Sequence, residues 1–285
     1  MTIEEDLNIN LSEIAEVADL KFHVLKLGVL EFHILGESPL IMNRMSAKAR
    51  QMILLPRLKR LTLAEKAANP KHNPMQEFRE SVYRNRDPRE PTLFHLPTNV
   101  FKKAIGQAAI DVEGSTRAEI GRLTSMVTTN INIFGVPQLA MAVTRSADRA
   151  RTPDIRTRAY FPQWATSFKI RFVKNLLTEQ VLFNLLQAAG LIVGVGDWRN
   201  EKGSASFGQF QVVDPKDPRY LEVLKQTRSA QQAAMDDPEF YDADTEDLYA
   251  WYLEESAHRE QESEEETNRQ KKRKSKKSDG EEARI

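Results

Sequence analysis

The 285-residue sequence predicts an α+β domain with the element order β-α-β-β-α-β, followed by a charged C-terminal tail. Four short stretches alternate apolar and polar residues with the two-residue period of a half-buried strand, and two longer stretches repeat apolar residues with the period of a helix. The composition changes sharply after Lys225, where acidic residues become frequent and apolar residues scarce. These observations predict both the type of domain and the point where it ends.

The predicted elements follow one another between residues 17 and 225. Leu30, Phe32 and Ile34 alternate with polar residues, which indicates the first strand, and the later strands rest on the same alternation. Thr178 is suited to cap the second helix, and Gly190 is suited to end it in a left-handed conformation. In order, the predictions are a strand at 30–36, a helix at 100–109, strands at 127–133 and 168–172, a helix at 178–190 and a strand at 209–213.

This order is that of the ferredoxin-like, or RRM-like, fold, in which two helices back a four-stranded antiparallel sheet. The spacing leaves two long insertions, at about residues 38–96 and 135–166, and connections of that length usually carry structure or function of their own. We therefore expect an N-terminal extension at 1–19, the α+β domain at 20–225 and a mostly disordered tail at 226–285. The charged composition of that tail cannot bury enough apolar surface to offset chain entropy.

Composition excludes several classes of protein. The chain has no apolar run of about 18 residues and its first residues are acidic and polar, so we expect a cytoplasmic protein with neither a secretion signal nor a membrane partner. The absence of cysteine excludes disulfides and thiolate metal sites. Because the five histidines are scattered without the spacing of metal ligands, no metal or cofactor is expected.

The distribution of charge favours a polyanionic partner. The formal net charge of the whole chain is zero, but residues 41–175 carry 24 basic and 10 acidic side chains. That excess of positive charge in the middle of the chain predicts a nucleic-acid-binding surface. The alternative is an ordinary solvated surface.

Arginines and lysines in the insertions and in the first helix are the candidate phosphate contacts, because the planar fork of arginine meets two phosphate oxygens at once. The alternation in the second insertion would place neighbouring guanidinium groups on one side of an extended arm. The alternative for this insertion is a hairpin whose arginines pair with Asp148 and Asp154. The candidates are Arg44, Lys48, Arg50, Lys102, Lys103, Arg149, Arg151, Arg156 and Arg158.

A glycine-rich loop after the second helix is the other candidate site. Five of the 12 glycines lie between residues 190 and 208, and glycines at this density allow a ligand to approach the backbone closely. An indole and a guanidinium within this loop suit stacking on a base and pairing with a phosphate. The alternative is a plain connection between helix and strand. The candidate residues are Gly194, Gly196, Trp198, Arg199, Lys202 and Gly203.

Taken together, the predicted core, the arginine-bearing arm and the glycine-rich loop over residues 20–215 resemble the RAMP superfamily, in particular the repeated backbone subunit of CRISPR effector complexes. The resemblance implies that sheet, arm and loop bind guide RNA and that copies stack into a filament. It assigns the arm's role to the four arginines between 149 and 158, and the loop's role to Gly194, Gly196, Trp198, Arg199 and Gly203. A stand-alone phage or mobile-element relative fits the same features.

The sequence therefore leads to one main hypothesis and two alternatives. The main hypothesis is a non-catalytic protein that binds single-stranded RNA or DNA, RNA being expected, and assembles with copies of itself along the strand. The first alternative is a metal-independent ribonuclease that uses His33 or His95 with a lysine. The second is a structural or scaffold protein of a phage.

Overall fold

The computed structural model describes residues 25–55, 72–111, 114–145, 153–202 and 205–282. The strands are β1 (Leu27–Gly36), β2 (Leu40–Met42), β3 (Phe94–Pro97), β4 (Thr124–Met126), β5 (Asn130–Ile133), β6 (Gln138–Arg145), β7 (Pro153–Phe161), β8 (Ala165–Val173) and β9 (Phe210–Val213). The helices are α1 (Ala47–Leu54), α2 (Pro74–Glu80), α3 (Asn99–Ala108), α4 (Arg117–Leu123), α5 (Glu179–Ala188), α6 (Pro218–Leu224), α7 (Arg228–Asp236) and α8 (Ala243–Glu282). In this part of the chain, no helix is both long and apolar enough to cross a membrane.

The main sheet has four antiparallel strands in the order β4-β8-β1-β9. Helices α3 and α5 cover one of its faces because each has a continuous apolar side. Phe101 of α3 lies between two strands, with its ring centroid 4.5 Å from that of Phe168 and 5.5 Å from that of Phe210. The main core is therefore the layer between this sheet and the two helices.

Two smaller antiparallel sheets, β2-β7-β6 and β3-β5, extend this core. Their inner faces meet through Phe94 and Phe161, whose rings lie edge to face at 5.5 Å. Helix α2 packs beside β7, where the Ser81 hydroxyl accepts a hydrogen bond from the backbone N–H of Ala159 (3.0 Å). The β6–β7 hairpin is the predicted arm, and it lies on the body of the protein.

The pattern of apolar residues locates most of the predicted elements. The first, third and fourth predicted strands correspond to β1, β8 and β9, and the two predicted helices correspond to α3 and α5. Thr178 caps α5 as predicted, since its hydroxyl accepts a hydrogen bond from the N–H of Val181. Gly190 does not end the helix, because the backbone continues as a π-helical turn to Val193. A Cβ at Gly190 would overlap the carbonyl oxygen of Phe210, so close packing explains this glycine.

The second predicted strand is divided between two sheets. The strand that joins β8 in the main sheet is β4, which lies just before the predicted segment 127–133. The alternating residues Ile131 and Ile133 belong to β5, which pairs with β3 instead. Alternation shows that one face of a strand is buried but does not identify its partner, which explains the error.

The predicted tail begins too early. Helix α7 buries Gln231 and Met235, and after it Phe240 forms a parallel bridge with Leu139 at the edge of β6. Gln231 is fully buried because its amide accepts a hydrogen bond from the N–H of Leu93 (2.7 Å) and donates to two further backbone carbonyls. The folded domain therefore continues past Lys225. The long helix α8 follows it to Glu282, and a mostly disordered tail stays a prediction.

Candidate nucleic-acid interface

Arg156 and Arg158 lie two residues apart on β7, which places them on the same face of the arm as predicted. Arg156 is exposed but forms an ion pair with Asp154 at 3.0 Å. This is the hairpin pairing that the sequence left open as the alternative. Arg149, Arg151 and Asp148 lie outside the described residues.

Arg158 brings the arm into contact with the glycine-rich loop. Its guanidinium forms an ion pair with Asp197, and its central carbon lies 5.7 Å from the centre of the Trp198 ring. The side chain of Arg158 is only 14% exposed, and Asp197 also accepts a hydrogen bond from the amide of Asn43 (3.0 Å). The arm and the loop thus converge as expected, but the charge of Arg158 is compensated where they meet.

The loop packs on the outer face of the β2-β7-β6 sheet. Asp197 N–H donates to the carbonyl of Ile41 (3.0 Å), and a Cβ at Gly196 would lie 2.6 Å from the same oxygen. Gly194 and Gly208 have positive φ angles of 74° and 69°, which glycine adopts without strain. These three glycines let the loop pack closely against its own chain. This role is the one expected from the alternative interpretation, in which the loop is a plain connection between helix and strand. Gly203 is outside the described residues, and Lys202 is described only as backbone, in a short 3₁₀ turn.

We expect Gly208→Ala to lower the free energy of unfolding by more than about 3 kcal/mol. The new Cβ would overlap the carbonyl oxygen of Val195, and the residue would have to keep a positive φ. Gly121→Ala is the matched control, because it lies in α4 with open space around it and should gain about 0.5 to 1 kcal/mol. Urea unfolding measures both, and equal stability of the two variants would contradict the packing described here.

The aromatic residues of the loop are part of a packed cluster. Trp198 has a φ of 49°, the one positive value at a non-glycine residue in the described chain, and its ring lies 6.2 Å from that of Phe207. Phe207 in turn contacts Tyr160 at 5.5 Å, and burial raises the pKa of Tyr160. Arg199 is held by Glu201 at 2.6 Å. Indole and guanidinium in this loop therefore already have partners within the protein.

Of the other predicted cations, Lys102 and Lys103 are on α3, Arg50 is exposed on α1, and the Lys48 side chain is not described. Within the described chain, the side chains of Lys102, Lys103 and Arg50 have no ion-pair partner. Arg44 follows β2, and its backbone N–H donates to the carbonyl of Ser81 (2.8 Å). This contact brings Arg44 to the segment between α2 and β3.

Arg84 lies on that segment and was not singled out as a site residue from the sequence. It forms a bridge with Phe94, next to His95. Within the described chain, no carboxylate lies within 4.0 Å of the guanidinium of Arg44 or Arg84. Burial lowers the pKa of Arg84, and the positive charges of Arg79 and Arg44 lower it further, against the opposing charge of Asp236. Arg84 is thus a crowded cation without a counterion in contact.

Two rings complete this site. The N–H of His95 donates to the carbonyl of Tyr83 (3.0 Å), and the two rings lie 5.9 Å apart, tilted by 46°. Burial and then the charge of Arg44 lower the pKa of His95, against Glu90, so its ring is neutral near pH 7. Among the residues that the structure describes, its buried Nδ1 has no hydrogen-bond partner. We define the Arg44–Arg84 cluster as Arg44, Arg79, Tyr83, Arg84 and His95.

The histidines considered for ribonuclease chemistry are not brought together. His33 lies on the main sheet and shares a hydrogen bond with the hydroxyl of Tyr220 (3.1 Å), whereas His95 lies on the β3-β5 sheet. No lysine among the described residues hydrogen-bonds to either ring. The same part of the chain has no group of three or more His, Asp or Glu side chains arranged to hold a metal ion.

Two of the solved structures to which the chain is weakly similar are subunits or complexes of the Cmr type. The chain is similar to the structure described as the Type III-B Cmr-beta bound to cognate target RNA, with 13% identity and a TM-score of 0.34, over 72% of this chain and 63% of that one. It is also similar to Cmr6 from Pyrococcus furiosus, with 11% identity and a TM-score of 0.32, over 67% of this chain and 100% of that one. No family model and no curated protein matches the chain.

Proposed function

We propose that the protein binds single-stranded nucleic acid and that the Arg44–Arg84 cluster contacts the strand. The observation that carries the proposal is that, within the described chain, no carboxylate lies within 4.0 Å of the guanidinium groups of Arg44 and Arg84. Burial and then the positive charges of Arg79 and Arg44 lower the pKa of Arg84, against the opposing charge of Asp236. Like charges held together raise the free energy of the unbound protein, and a phosphate group placed among them relieves that repulsion. Arginine can bind such a phosphate through two parallel hydrogen bonds.

The rings of Tyr83 and His95 support a single strand as the ligand. Unpaired bases can stack on aromatic side chains, and each such contact is worth about 1 to 3 kcal/mol without a requirement for a particular base. In a duplex the bases are already stacked on one another. A cationic group beside two half-buried rings therefore favours a single strand over a duplex.

The position of Arg79 supports a preformed site. Its guanidinium donates to the backbone carbonyls of Met235 (3.1 Å) and Asp236 (3.4 Å) at the end of α7. These carbonyl groups fix the position of the Arg79 side chain, but because they carry no net charge they do not neutralise its positive charge. A cation that is already fixed loses less conformational entropy when it binds a phosphate.

The ferredoxin-like arrangement belongs to this proposal. The strand order β4-β8-β1-β9, with α3 between β1 and β4 and α5 between β8 and β9, supports it. RNA as the ligand, assembly of copies along the strand and the lack of catalysis are further parts of the proposal. RNA and the assembly of copies rest on the resemblance described from the sequence, whereas the lack of catalysis rests on the scattered histidines, which lack the spacing of metal ligands.

Fluorescence anisotropy of a labelled single-stranded RNA, titrated with the full chain at rising salt, tests the proposal. On single strands the slope of log K against log salt is about −0.7 per contacted phosphate, so two contacts give about −1.4. Unlabelled single-stranded RNA should compete better than the duplex of the same sequence. No binding at about 50 mM salt would contradict the proposal.

A further inference from the structure

The outer face of the main sheet, which points away from α3 and α5, is covered by the described chain over only part of its length. Near the C-terminal end of β1, Tyr220 and Val223 of α6 pack against Leu35 and Ala165. At the other end of this face the apolar side chains are exposed, namely Leu27 (63%), Val29 (53%) and Val127 (42%). Exposed apolar residues that share one sheet face indicate a docking surface.

These side chains belong to one surface that crosses three strands. Val29 lies opposite Arg171 of β8, and Arg171 lies opposite Ser125 of β4. Val127 lies two residues after Ser125, on the same side of the sheet, and its N–H donates to the carbonyl of Lys169 (3.1 Å). We define the open face as Leu27, Val29, Glu31, Val127, Lys169 and Arg171.

The charged side chains of the open face leave one positive charge in excess. Lys169 lies 3.5 Å from Glu31, so these two charges compensate each other. Arg171 is exposed, and among the described residues it has no ion-pair partner. The occupant that fits this face is therefore both apolar and acidic.

The sequence just before β1 has both properties. Residues 1–24 lie outside the described residues, and they carry six acidic side chains and one basic side chain. Apolar residues recur in this segment with the spacing of one helix side, at Leu11, Ile14, Ala15, Ala18 and Phe22. In a helix over residues 11–22, Glu13, Glu16 and Asp19 lie outside that apolar side. The segment thus matches the open face in apolar character and in the sign of its charge.

The length and the point of attachment of this segment also match. A helix over residues 11–22 is about 18 Å long. The open part of β1, from Leu27 to the contact of His33 with Tyr220 of α6, extends about 20 Å. Residues 23–26 form a connection within the usual length of about 2 to 6 residues. Because so short a connection gives an effective concentration of about millimolar, the segment has an advantage over a partner in solution.

We propose that residues 11–22 form a helix that packs on the open face of their own chain, with the apolar side of the helix against Leu27, Val29 and Val127. The acidic side chains of the segment then lie close to the uncompensated charge of Arg171. An isolated helix of this length is marginal in water, so its formation depends on this packing. Together with α6, the helix covers the outer face of the main sheet along β1.

Hydrogen exchange of the full chain, followed by mass spectrometry, tests this packing. We expect the amides of residues 11–22 to be protected, and to exchange about tenfold faster in Val29→Asp, because the substitution removes an apolar contact and adds a charge that repels the acidic segment. Val143→Asp is the matched control, since Val143 is 69% exposed but lies on β6 in another sheet. Unprotected amides in the unmodified chain, or equal exchange in the two variants, would overturn the proposal.

Arg171→Glu decides the question should Val29→Asp fail to fold. It reverses the excess charge of the open face, so it should also speed the exchange of residues 11–22. Arg86→Glu is its control, because Arg86 is exposed between α2 and β3, away from the main sheet, and this variant should leave that exchange unchanged. Equal exchange in these two variants would contradict the proposal.

The same measurement distinguishes the other possible occupants of the open face. It is repeated at tenfold lower protein concentration and with added single-stranded RNA, and we expect the protection of residues 11–22 to be the same in each case. Protection that disappears on dilution would assign the face to a second copy, and protection that requires RNA would assign it to nucleic acid. Either result would overturn the proposal. RNA binding at the Arg44–Arg84 cluster does not enter the expected result, so the two proposals can fail independently.

Discussion

Replacing Arg44 and Arg84 together by alanine is expected to weaken the binding of single-stranded RNA about a hundredfold or more. Each guanidinium would supply a charge-assisted contact to a phosphate, worth about 1.5 to 3 kcal/mol of binding free energy. Within the folded protein, its removal leaves no buried carboxylate without a partner. The slope of log K against log salt should become shallower by about 1.4. The free energy of unfolding should change by less than about 1 kcal/mol, because the relief of repulsion among the arginines offsets the lost attraction of Asp236 and Glu80. Anisotropy and urea unfolding on the same preparations measure these changes.

The matched control is Arg156→Ala with Arg199→Ala. This variant loses the same number of positive charges, but from side chains that Asp154 and Glu201 already hold. We expect its affinity to change by less than about threefold. If the control lost as much affinity as the double variant of Arg44 and Arg84, the arm and the glycine-rich loop would be the contact surface instead.

Gln231→Ala is expected to lower the free energy of unfolding by about 3 kcal/mol or more. The substitution leaves the N–H of Leu93 and the carbonyls of Ile133 and Gly135 without their buried partner. Gln232→Ala, one residue later, is the control. Gln232 is exposed and bonds only to Asp236 on its own helix, so its loss should cost less than about 0.5 kcal/mol.

Urea unfolding distinguishes the two glutamine variants. If Gln231→Ala were as stable as Gln232→Ala, helix α7 would not be an integral part of the fold. The same substitution should also weaken the proposed binding site, because α7 provides the two carbonyls that fix the position of Arg79. We therefore expect folded Gln231→Ala at low temperature to bind RNA more weakly than the unmodified chain.

The periodicity of apolar residues predicted those strands and helices that bury one apolar face along their whole length. Strands β1, β8 and β9 and helices α3 and α5 each bury one continuous apolar face, so their patterns are visible. Helix α7 was missed because a glutamine occupies its most buried position and depends on partners about 100 residues away. Strand β4 was missed because three residues are too few to show a period.

The sequence predicted which segments and residue types meet at the candidate site, but not which of the arginines a carboxylate would neutralise. The sequence indicated that the arm and the glycine-rich loop would meet, and Arg158 with Trp198 shows that they do. It did not indicate that Asp197 would compensate Arg158, because that ion pair depends on tertiary packing. Arg44 was a candidate from the sequence, but its proximity to Arg84 depends on folding, which brings the two segments together without a contacting carboxylate among the described residues.

Photochemical cross-linking of the unmodified chain to a single-stranded RNA that contains thiouridine tests the central claim most directly. Mass spectrometry of the digested complex identifies the amino acids that touch a base. We expect the cross-links to fall in the segment that carries Tyr83 and His95. Cross-links confined to Trp198 and its neighbours, or the absence of any specific cross-link, would contradict the assignment of the Arg44–Arg84 cluster as the binding surface.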